Sequence, residues 1–97
     1  MSNSADAAWT AYVAQLGLTL ARTRARRGLS QDKVAAAADI SPFTYRKLEK
    51  GASNPGTPAN PRLRTLVSLA EVLDIPLVDL LPPDPGGIAP GGVVPPR

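Results

Sequence analysis

SQDKVAAAADISPFTYRKLEKG, residues 30–51, carries two helix-start signals within a few turns of one another. Ser30 is a good N-cap, because its hydroxyl can accept from an unpaired first-turn amide, and Asp32 sets negative charge against the positive end of the helix dipole. A helix is therefore expected over residues 31–38. Ser41 followed by Pro42 repeats the signal, since the fixed φ and missing N–H of proline suit the first helical position. The second helix should run over residues 42–50 and end at Gly51, which takes the left-handed conformation freely. Asp39, Ile40 and Ser41 form a linker too short for antiparallel helices and suited to a near-perpendicular corner.

Helical spacing turns Val34, Ala35, Ala38, Ile40, Tyr45 and Leu48 toward one core and leaves Pro42, Phe43, Arg46, Lys47 and Lys50 facing out. Three cations and an exposed aromatic near a helix N-terminus are either a solvated basic face or the composition of a helix that enters a major groove. The two-helix context favours the second reading.

Composition narrows the classes. A chain of 97 residues supports one domain, expected over residues 4–81 with a separate tail over 82–97. It has no cysteine and no histidine, which argues against disulfides, the usual zinc sites and a histidine base, so neither an enzyme nor a cofactor or metal is expected. With no signal-peptide pattern and no long apolar run, the chain reads as cytoplasmic, without a membrane partner. Ten of the eleven Lys and Arg residues fall between positions 22 and 64, against only Asp32, Asp39 and Glu49. A basic middle between less basic ends suits a polyanion bound at one surface.

Upstream, Asn3 or Ser4 can cap a long amphipathic helix whose apolar positions are Trp9, Tyr12, Val13, Leu16 and Leu20. It should reach about Arg27, stop at Gly28 and bend at Gly17. The stripe packs on its own domain or serves a dimer seam. Downstream, the Pro- and Gly-containing run 52–61 reads as loop. Leu63, Leu66, Val67, Ala70 and Leu73 then mark one face of a fourth helix, and residues 77–81 a short fifth one. Residues 82–97 hold six prolines and four glycines, a composition that forms no packed core and should be flexible or extended. The fold class is all-α.

Four pieces, LGLTLARTRARRGLSQ, VAAAADIS, YRKLEKG and NPRLRTLVSLAEVLDI, occur in order between residues 16 and 75. With them, the segment 16–82 resembles the xenobiotic-response-element family of lambda-repressor-like, Cro-type helix-turn-helix domains. The resemblance implies a compact five-helix domain whose third helix reads base edges of double-stranded DNA, usually as a homodimer on a two-fold operator, as in a transcriptional repressor. It also implies roles for residues. Pro42, Phe43, Arg46 and Lys47 fall at base-facing positions, Gln31 and Arg62 at phosphate-contacting ones, and Arg24 and Glu49 where a structural ion pair ties the first helix to the third. Lys50 and Arg64 join the phosphate-contacting set.

Three departures from the family pattern stand out. Pro42 and Phe43 replace the common polar readers, which shifts readout toward a thymine methyl on Phe43 and guanine on Arg46 or Lys47. Asp39 replaces a corner glycine, and the loop before the fourth helix is several residues longer. Two other classes remain open. One is an antitoxin-type DNA-binding protein that captures a protein partner through the N-terminal helix or the C-terminal tail. The other is a protein-interaction module without DNA binding.

Overall fold

The computed structural model describes residues 4–83 and 86–92. In chain order the elements are α1 (Ser4–Arg26), α2 (Gln31–Ala38), α3 (Pro42–Glu49), β1 (Ala52–Asn54), β2 (Thr57–Pro58), α4 (Leu63–Leu73) and α5 (Leu77–Leu80). Asn3, residues 84–85 and residues 93–97, which the cap and tail readings include, lie outside the described residues.

The caps that start α2 and α3 are formed. Ser30 Oγ accepts from the Lys33 amide at 3.1 Å and Ser41 Oγ from the Thr44 amide at 3.0 Å. Each supplies a partner to an amide that the helix itself leaves open. α2 stops at Asp39, whose φ of 58° is left-handed, while Ile40 donates its amide back to Ala35 O at 3.0 Å. α4 stops in the same way, with Asp74 at φ 56° and Ile75 donating to Ala70 O at 3.0 Å. Aspartate tolerates this region better than most non-glycine residues, and the following isoleucine turns inward to pack beside the core in both places.

Val13, Leu16 and Leu20 of α1, Val34 and Ala35 of α2, Tyr45 and Leu48 of α3, Leu69, Ala70 and Leu73 of α4, and Leu80 of α5 make one buried cluster. Ala38 and Ile40 pack against it half-buried. On α4 the buried face differs from the expected one. Leu69 is fully buried, whereas Leu63 is 67 % and Val67 38 % exposed. At 100° per residue Leu66, Leu69, Ala70 and Leu73 share a stripe that leaves Leu63 and Val67 at its rim.

Gly17 lies inside a single unbroken helical segment, and its smallness serves a close crossing of α1 over α3. A methyl group on it would fall 2.5 Å from Glu49 O and 2.7 Å from Leu48 O. The stretch read as loop contains a short antiparallel ribbon, β1 on β2, turning through Gly56 at φ 77°. Ala59 closes it by donating to Gly51 O at 2.9 Å. Trp9 Nε1 in turn donates to Ala59 O at 2.9 Å, and its ring stacks on Tyr12 with centroids 5.7 Å apart. The upper part of the α1 stripe thus packs on its own domain. Ile88 and Pro90 line a shallow cleft with Ala5 and Trp9, which sets residues 86–92 against the first turns of α1. Among the described residues no helix is long and apolar enough to cross a membrane.

Candidate nucleic-acid interface

α3 is anchored from behind. Glu49, on its inner flank, accepts from Arg24 Nε at 2.6 Å and Arg24 Nη2 at 3.1 Å, a bidentate pair, and from Gln31 Nε2 at 2.8 Å. Arg24 also donates from Nη1 to Leu29 O at 3.1 Å, which ties in the turn between α1 and α2. One carboxylate therefore joins α1, α2 and α3. The Glu49 side chain is only 8 % exposed. Burial pushes its pKa up, but hydrogen bonds from Arg24 and Gln31 outweigh burial and hold it below the ordinary carboxylate value. The hydrogen bond to Glu49 in turn raises the Arg24 pKa. Tyr45 Oη, buried beside them, makes no well-formed hydrogen bond, and burial first, then the neighbouring Glu49, pushes the phenol well above its usual pKa.

The outer face of α3 is open. Pro42, Phe43, Arg46 and the C-capping Lys50 are exposed and Lys47 is half-buried. Lys47 Nζ lies 4.4 Å over the Phe43 ring, a cation–π contact. Arg46 Nη1 pairs with Asp32 Oδ1 of α2 at 3.3 Å, with both side chains largely in solvent. A pair so hydrated is weak, and it orients Arg46 without committing it.

Gln31 spends an amide hydrogen on Glu49, so its position is tied to the anchoring of α3. Arg62 and Arg64 belong to a second cleft. They border it with Asp39 and Ser68 where the start of α4 approaches the end of α2. Arg62 occupies the N-cap of α4 without a side-chain cap, which leaves first-turn amides of that helix open to another acceptor.

Sequence reasoning missed two features of the surface. Asp32 was read only through the dipole of α2, because nothing in the spacing of two solvated residues on different helices announces their contact. Thr44 and Lys47 of α3 also form a groove with Ser53 and Asn60 of the ribbon segment. The polar residues of the Pro-rich run were its only signal.

No curated protein sequence matches this chain. Among solved structures it is similar to the restriction-modification controller protein C.AhdI from Aeromonas hydrophila. The TM-score is 0.65 at 27 % identity, and the match covers 73 % of this chain and 98 % of that one. The family profile described as a helix-turn-helix domain matches residues 15–81, from the Gly17 crossing through α5. With the capped α2–α3 corner at its centre, the chain belongs to the helix-turn-helix domain family.

Proposed function

We propose that this chain is a transcriptional regulator that binds operator DNA as a homodimer, with α3 in the major groove. The observation that carries the reading is the contrast between the two sides of α3. Its inner flank is locked to α1 and α2 through Glu49, while its outer face presents Phe43, Arg46, Lys47 and Lys50. A rigid helix with outward-facing cations suits base readout, which requires fixed register. Arg46 and Lys47 serve as base readers, Pro42 and Phe43 as apolar contacts, and Gln31, Lys50, Arg62 and Arg64 as phosphate contacts.

The dimer reading is supported by exposed apolar side chains on elements that do not carry the reading face, Leu63 and Val67 of α4 and Val78 of α5, the last 73 % exposed. A dimer seated across a two-fold site would occlude other proteins, so repression is the proposed outcome, in the compartment that holds the DNA. The solved relative named as a restriction-modification controller is a further support.

Selection of bound sequences from a random duplex pool tests the reading. Enrichment of two related half-sites about one helical turn apart is expected. Equal affinity for selected and random duplexes would sink it.

A further inference from the structure

We infer that α3 reads the C5-methyl group of a pyrimidine lying within one or two base pairs of a guanine, so that the chain discriminates methylated from unmethylated cytosine at that position. The inference rests on the proposed docking of α3 in the major groove and adds a ligand chemistry to it.

The leading edge of α3 is apolar. Pro42 has neither an amide hydrogen nor a polar side chain, and Phe43 next to it is 64 % exposed. Residues of the first turn of a reading helix meet base edges. Neither of these two can hydrogen-bond a base, and the one apolar group that a pyrimidine offers in the major groove is a methyl on C5, native to thymine and added in 5-methylcytosine.

The Phe43 ring is held for such a contact. Lys47 Nζ lies 4.4 Å over its centroid on one face, while Phe43 stays 64 % exposed. Arg46 follows Phe43 by three residues, a spacing that sets side chains about 5–6 Å apart on a helix. Asp32 of α2 pairs with its guanidinium at 3.3 Å. Its fork matches O6 and N7 of guanine. With base pairs stacked about 3.4 Å apart, an apolar contact and a guanine contact so separated fall one or two pairs from each other.

The test uses the full chain and the duplex enriched from a random pool, read by fluorescence anisotropy. At each pyrimidine position thymine is compared with uracil, and 5-methylcytosine with cytosine, so that only a methyl changes within each pair. At one position per half-site the methyl should strengthen binding by about threefold to fivefold, the gain from burying one methyl group. Phe43→Ala should erase that ratio and Phe43→Leu retain part of it, whereas Lys50→Ala should weaken all duplexes and keep the ratio. No responsive position, or a response that survives in Phe43→Ala, overturns the inference while leaving selective binding intact. Failure to enrich any sequence overturns the DNA reading and this inference with it.

Discussion

Arg24 and Glu49, 25 residues apart in the chain, form a bidentate pair in which the Glu49 side chain is 8 % and the Arg24 side chain 20 % exposed. Removing the carboxylate strands Arg24 and orphans the Gln31 amide. Glu49→Ala should therefore cost on the order of 2–4 kcal/mol in urea unfolding, a large part of the stability of a domain this size. A melt indistinguishable from the parent would mean the pair is not shielded in solution.

The same pair sets an acid limit. The Glu49 carboxyl titrates below its ordinary value of 4.5, so its stabilisation is complete above that pH and is lost as pH falls through the lower, folded-state value. Arg24 stays charged throughout. Denaturation curves between pH 7 and pH 3 should decline at the acid end, and Glu49→Gln should flatten that part of the decline.

Gly17→Ala reverses the usual helix rule. Alanine is ordinarily better than glycine inside a helix by about 1 kcal/mol. Here its methyl would meet the Glu49 and Leu48 carbonyl oxygens at 2.5 and 2.7 Å. α1 and α3 would have to separate, at about 1–3 kcal/mol, and thermal unfolding should show a lower Tm.

At the corner, Asp39→Gly should leave stability nearly unchanged, since glycine accepts the φ of 58° freely. Asp39→Val should lose about 1–2 kcal/mol, because a β-branched residue is strained in the left-handed region. Equal midpoints in guanidinium for the two variants would contradict the left-handed stop.

Arg62 and Arg46 should separate in DNA binding. Arg62→Ala should weaken all duplexes alike and reduce the slope of log K against log salt by about 0.9. Arg46→Ala should cost about 1–3 kcal/mol on a selected site and little on random DNA. An unchanged slope would remove Arg62 from the phosphate set, and equal losses on both duplexes would make Arg46 a backbone contact.

The helical skeleton was legible because its signals are local. The serine caps, Pro42, the glycine stops and the period of the apolar residues each act within one turn, and the helices they announced lie within a residue or two of the expected limits. The face of α4 was misread because Leu63 and Val67 satisfy the same periodicity as core positions, and only the placement of α5 and α2 decides which side is covered. The ribbon escaped because a two-residue strand has too few side chains to alternate. The Glu49 anchor was reachable through family resemblance alone, since spacing carries no record of a contact between α1 and α3. The Asp32–Arg46 contact had no signal at all.

Trp9 is the chain's single tryptophan, and its indole N–H is bonded to the carbonyl of Ala59, three residues before Arg62. The indole is thus a built-in optical reporter for the segment that leads into α4. Its emission shifts with hydration and with the loss of that bond, so undocking of the ribbon from α1 can be followed on the unlabelled chain. The signal comes from Trp9, which lies before the matched helix-turn-helix region, and this makes the N-terminal extension a place to watch the domain while its reading helix is left untouched.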